Sequence, residues 1–167
     1  VVAAMVEEGI DEAQARSRLL MVDRAGLLTS DMAELLPFQV PLAQDPAALV
    51  GWDVKERSAI SLLEVIENAR PSVLIGVTGV FGLFTEEMVR AMAAADERPV
   101  VLPLSNPTSK AEATAEDVLR WTDGRALVAT GSPFAPVTLN GVTRTIAQSN
   151  NAYVFPGMGL GVRASKA

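Results

Sequence analysis

The sequence predicts an α/β domain with a doubly wound, mainly parallel sheet, and three observations carry that expectation. Between residues 58 and 131, short apolar runs rich in β-branched residues alternate with amphipathic stretches. The runs are apolar on both faces, as strands covered by helices on either side must be. Each run ends in glycine or small polar residues, which is where chains of this class turn and where their loops hold ligands.

The elements follow in order. Val1, Val2, Met5 and Val6 share a helical face and Gly9 suits a C-terminal cap, so residues 1–9 read as the end of a helix already in progress. Residues 10–16 add a short helical turn. The apolar segment 17–23 ends abruptly in Asp23-Arg24-Ala25-Gly26 and reads as a buried strand followed by a loop. Pro37, Pro41 and Pro46 break the stretch 27–57 into an irregular excursion with one short helix. Ala59, Leu62, Leu63, Ile66 and Ala69 recur at helical spacing over 58–69, with Pro71 beyond. Residues 72–79 form a strand candidate closing in glycine, and Thr85 caps a helix reaching about Asp96, with Glu86 and Glu87 placed against its dipole. Residues 98–104 and 125–131 are two further strand candidates, with a Thr114-capped helix over 115–123 between them. Ten turn-rich residues follow, and the glycine-rich tail 149–167 begins another apolar segment. Right-handed crossovers would make these strands parallel.

Composition narrows the chemistry. The chain has 167 residues, 49% of them hydrophobic, which suits one domain with a sizeable core. Its 14 basic and 20 acidic residues leave a net charge of -6, which disfavours a nucleic-acid backbone as partner. It contains neither cysteine nor histidine, which excludes a disulfide framework, a thiolate zinc site, a Ser-His-Asp triad and imidazole metal ligands. No uninterrupted apolar window is long enough for a membrane helix and no signal peptide opens the chain, so the expectation is a cytoplasmic protein without a membrane partner. The absence of an initiator methionine before the apolar start at Val1 predicts a piece of a longer chain.

Four loops lie at the carboxyl ends of the expected strands: Asp23, residues 78–82, residues 105–108 and residues 130–133. Asp23 ends what reads as the second strand of a dinucleotide fold, where an acid accepts hydrogen bonds from the adenosine ribose diol; a turn or capping aspartate fits its position equally. A glycine fingerprint should precede such an acid, yet only Gly9 lies upstream. Gly76, Gly79 and Gly82 form a different spacing; tight strand-to-loop packing explains them at least as well as phosphate contact. Asn106, before Pro107, is biased to an extended backbone that would aim its amide beyond the sheet, or else it closes an Asx turn. Asn150 and Asn151 beside Tyr153 either brace loops or bind a ligand rich in oxygen. The paired acids Glu7-Glu8, Asp11-Glu12, Glu86-Glu87, Asp96-Glu97 and Glu116-Asp117 fall on or at the ends of helices, where solvation and helix dipoles explain them better than a metal.

Taken together, Met21 through Leu28, Leu74-Ile75-Gly76-Val77, Leu83 through Glu87, Glu97-Arg98-Pro99, Leu104 through Glu112, Ala129 through Phe134 and Asn150 through Gly157 resemble the NAD-binding domain of malic enzyme. The resemblance runs from Arg18 to Val162 and is strongest to bacterial members of the large-subunit class shared with eukaryotes. It implies a partial Rossmann-like domain, residues 1–167 as a single domain whose first strand and glycine-fingerprint turn are missing, from an oxidoreductase that converts (S)-malate to pyruvate and CO2 with reduction of NAD, assisted by Mn²⁺ or Mg²⁺ and acting as a homo-oligomer.

Residue by residue, the resemblance makes Asp23 the ribose-binding acid. It places Val77, Thr78 and Gly79 along the nicotinamide ribose, and Asn106 against both that ribose and the malate carboxylate. Asn150 is implied to reach malate and Asn151 the cofactor. Gln39 falls where the family sets cofactor preference; being neutral, it offers nothing to a 2′-phosphate and favours NAD over NADP. The family's acid, base and metal ligands belong to segments upstream, so no catalytic residue and no metal ligand is expected here. Lys55, Lys110 and Tyr153 do not match those roles, and the chain alone is expected to be inactive. Two other readings remain: a nucleotide-binding module without catalysis, and a purely structural fragment.

Overall fold

In the computed structural model, which describes residues 1–149, the chain divides into two compact units, Val1–Ala69 and Arg70–Ala167. The first unit opens with helices α1 (Val2–Glu7) and α2 (Glu12–Ser17). Gly9, at φ +90, makes the left-handed turn between them, and the Asp11 carboxylate caps α2 by accepting from the Ala13 and Gln14 N–H groups.

Segment 17–23 departs from the expected buried strand. Only Val22–Asp23 (β1) is extended, and it pairs antiparallel with Gly26–Leu27 (β2) in a two-stranded hairpin of its own. The cause is local. Gly26 takes φ +100, and a Cβ there would lie 2.7 Å from the Ile60 carbonyl oxygen, the same oxygen that accepts from the Leu27 N–H. The chain therefore turns back at once instead of entering a longer strand.

Two 3-10 turns, Val40–Leu42 and Pro46–Leu49, occupy the proline-rich excursion, one more than expected. Helix α3 spans Leu62–Ala69 rather than starting at Ser58. Ser61 stops it there with a reciprocal cap: its hydroxyl accepts from the Glu64 N–H, while the Glu64 carboxylate accepts from the Ser61 N–H and hydroxyl. Leu27, Leu49, Ile60 and Val65 form the core of this unit, with Leu20, Val22, Trp52 and Val54 packed against it.

The second unit carries the parallel sheet. Strands β3 (Val73–Gly76), β4 (Val100–Pro103), β5 (Leu127–Thr130) and β8 (Ala147–Gln148) lie side by side in that order, all parallel. Helices α4 (Glu86–Ala95) and α5 (Ala115–Trp121) make the crossovers and start where threonine predicts: Thr85 accepts from the Met88 N–H and Thr114 from the Asp117 N–H. Arg125 closes the far end of α4 by donating to the Ala93, Asp96 and Glu97 carbonyls. Val89, Met92, Val118 and Leu119 pack in the interior with Leu74, Val101 and Phe84. Each such side chain contributes about 1.5–3 kcal/mol by leaving water.

The turn-rich stretch after β5 holds an element the alternation did not reveal, a hairpin of β6 (Val137–Leu139) and β7 (Val142–Arg144). Asn140 and Gly141, both at positive φ, form its two-residue turn. No helix among the described residues is long and apolar enough to cross a membrane.

Candidate functional site

The sequence-predicted residues fall into two groups, one in each unit. In the first unit the structure joins Asp23 to Gln39. The Gln39 side chain is buried, its carbonyl oxygen accepts from the Leu36 N–H at 2.8 Å, and its amide donates to Asp23 Oδ2 at 3.1 Å. The other Asp23 oxygen accepts from the Arg24 N–H at 2.7 Å. Gln39 therefore has no freedom to turn: one end is held by backbone and the other presents a neutral donor to the acid. Asp23 is exposed on the hairpin turn, and each of its oxygens keeps acceptor capacity for a hydroxyl group.

In the second unit the chain leaves β3, β4 and β5 at the same edge of the sheet. Val77, Thr78 and Gly79 follow β3 and are exposed, and Gly79 takes φ +68 with nothing within 4 Å of where a Cβ would stand. Val77 is 71% exposed and Phe81 63%, so this loop offers apolar surface beside its polar groups. After β4 comes Ser105-Asn106, joined to Pro107 by a cis peptide bond. The Asn106 carbonyl oxygen accepts from the Ser132 hydroxyl at 2.5 Å. Ser132, which follows β5, is itself buried, and its carbonyl accepts from the Thr130 hydroxyl at 2.8 Å. With its oxygen occupied, Asn106 presents an amide N–H₂ that has no partner among the described residues, a donor suited to a carboxylate, a carboxamide oxygen or a ribose hydroxyl. Ser132 therefore orients Asn106, a role the sequence did not reveal.

Glu112 is the second residue missed. It is fully buried, and its Oε1 accepts from the Thr78 N–H (2.7 Å), the Thr78 hydroxyl (2.8 Å) and the Ser105 hydroxyl (2.5 Å), with Oε2 accepting from the Ser105 N–H at 3.4 Å. Burial pushes its carboxyl pKa up, but the donors of Ser105 and Thr78 outweigh burial and hold it below the ordinary glutamate value. Gly76 is part of the same arrangement: a Cβ there would come within 2.5 Å of the Glu112 carboxyl carbon. Its glycine thus serves close packing, one of the two explanations open for it from spacing. No group of three or more acidic side chains among the described residues could hold a metal. Asn150 and Asn151 lie outside the described residues.

Parallel strands joined by helical crossovers, with small and polar loops gathered at their carboxyl ends, define the second unit as an α/β domain of the doubly wound class, the class that holds nucleotides beyond those strand ends. The whole chain, residues 1–167, matches the family described as malic enzyme, NAD binding domain, and it belongs to that family. Similar proteins are the NAD-dependent malic enzymes of Shewanella woodyi, 60% identical, and of Pseudomonas aeruginosa strain UCBPP-PA14, 58% identical; each alignment covers 100% of this chain and 30% of the relative. The chain thus spans about a third of the length of these relatives.

Proposed function

We propose that this chain supplies the cofactor site and part of the substrate site of a malic enzyme that oxidises and decarboxylates (S)-malate to pyruvate and CO2, with NAD as the electron acceptor. The observation that carries the reading is the Asn106 amide at the carboxyl end of the parallel sheet, its oxygen held by Ser132 and its N–H₂ without a partner among the described residues. When bound, NAD accepts a hydride from the substrate's hydroxyl-bearing carbon. The chain's own residues bind and orient. Asp23 accepts from the adenosine ribose hydroxyls, and the neutral Gln39 amide beside it offers no cation to a 2′-phosphate, which favours NAD over NADP. Val77, Thr78 and Gly79 line the nicotinamide ribose, with backbone and small groups that permit close approach.

Asn106 donates to the malate carboxylate and the nicotinamide ribose; a neutral amide can orient a carboxylate without exchanging a proton with it. Asn150 takes a further malate contact and Asn151 a cofactor contact. The described residues do not fit the divalent cation, Mn²⁺ or Mg²⁺, that the resemblance implies, and no step is assigned to it through them. We further infer that residues 1–167 are part of one NAD-binding domain, in a homo-oligomeric enzyme of the cytoplasm.

The test is an assay of the full-length gene product with (S)-malate, Mn²⁺ and either dinucleotide, following absorbance of the reduced cofactor and release of CO2. Malate-dependent reduction of NAD, slower with NADP, is expected, and Asn106→Ala should lower kcat/KM by ten-fold or more, the loss of about 1.4 kcal/mol of binding in the transition state. Absence of malate-dependent reduction, or an Asn106→Ala variant as fast as the parent, would refute the reading.

A further inference from the structure

Glu112 is a fully buried carboxylate without a salt bridge to any Lys or Arg among the described residues. Charged groups are seldom buried unpaired, because leaving water costs several kcal/mol unless donors replace the lost hydration. Here the donors come from two loops only: Thr78 after β3 gives its N–H and hydroxyl, and Ser105 after β4 gives its hydroxyl and, at longer range, its N–H. The Ser105 oxygen in turn accepts from the Gly79 N–H at 2.8 Å. The backbone beside Glu112 grips the first loop again, since the Ala111 carbonyl accepts from the Gly82 N–H and the Glu112 carbonyl from the Phe84 N–H. Side chain and backbone of one short segment therefore hold residues 78–84 at three points and the start of the Ser105-Asn106 loop at one.

Resting on the reading above, we propose that Glu112 is a positioning residue for dinucleotide binding: it fixes the Thr78-Gly79 and Ser105-Asn106 loops in one mutual arrangement, so that their ligand-facing groups are set before the cofactor arrives. A carboxylate suits this better than a neutral group. One oxygen accepts three hydrogen bonds at once, and neither oxygen brings a proton that would oppose the surrounding donors. Pre-set loops spare the binding step the entropy of ordering them, so the benefit falls on affinity and not only on stability.

The test uses the full-length gene product and the binding of NADH, read by the change in its fluorescence, alongside steady-state kinetics. Glu112→Gln retains the shape of the side chain but puts an N–H₂ among donors. The expected result is a folded protein, by circular dichroism, whose Kd for NADH rises ten-fold or more and whose KM for NAD rises in parallel. A folded Glu112→Gln protein with NADH affinity within two-fold of the parent would overturn the proposal and leave Glu112 a structural brace. Should Glu112→Gln fail to fold, Ser105→Ala decides by the same thresholds, since it removes the shared hydroxyl and the Gly79 contact while leaving the carboxylate its Thr78 donors. Failure of the parent itself to bind NADH would refute the dinucleotide reading, an outcome separate from either variant result.

Discussion

Replacing Gly131 by alanine would force β4 and β5 apart at their carboxyl ends. A Cβ on Gly131 would stand 2.0 Å from the Leu104 carbonyl oxygen and 2.6 Å from its carbon, both backbone atoms that cannot swing aside as a side-chain tip can. Ordinary contact begins near 3.4 Å, so the two chains must separate by more than an ångström. That movement breaks the Gly131 N–H to Pro103 carbonyl bond, now 3.1 Å. Overpacking costs about 1–3 kcal/mol and a lost hydrogen bond about 1 kcal/mol, giving roughly 2–4 kcal/mol in all. For a cooperative unit of 150 to 250 residues each kcal/mol lowers Tm by about 2–4 °C, so a fall of at least about 4 °C is expected. Gly51→Ala is the control: nothing lies within 4 Å of its Cβ and its φ is not in the left-handed region, so it should be neutral or slightly stabilising. Differential scanning calorimetry of the full-length gene product measures both. If Gly131→Ala melts within a degree of the parent, the close approach of these two loops is not what holds them.

Other outcomes follow from single contacts. The Glu64 carboxyl is lowered from 4.5 to about 2, chiefly by the Lys55 N–H and then by the hydroxyl and N–H of Ser61. A depressed acid stabilises the folded state fully above its unfolded pKa and loses that contribution as pH falls through the folded one, so the effect belongs to the window from 4.5 down to about 2. In acid titrations followed by circular dichroism, Glu64→Gln should flatten the pH dependence of stability in that window; an unchanged acid transition would discount the cap. Thr114→Ala removes the acceptor for the Asp117 N–H and should cost about 1 kcal/mol in urea denaturation, with the m-value unchanged.

Much of the second unit was legible in the sequence because its signals are local. Apolar β-branched runs, helical spacing and a threonine before each crossover helix place β3, β4, β5, α4 and α5 within a few residues. The hairpin around Asn140-Gly141 was missed, because the surrounding prolines and turn formers masked the short strands on either side. Segment 17–23 misled because an apolar run specifies burial without specifying partners, and its pairing was decided by Gly26 meeting the Ile60 backbone far along the chain.

By itself the sequence determined the α/β class and family of this chain, and it singled out Asp23, the Thr78-Gly79 turn and Asn106 as candidates for ligand contact. Only the tertiary structure decided how those residues are held. Gln39 against Asp23, Ser132 against Asn106, and Glu112 between Thr78 and Ser105 span 16, 26, 34 and 7 residues of chain. Hydrogen bonds of that kind have no period in the sequence. They form because the sheet and its crossovers bring strand ends together, and because a carboxylate taken out of water must be met by whichever donors the fold delivers.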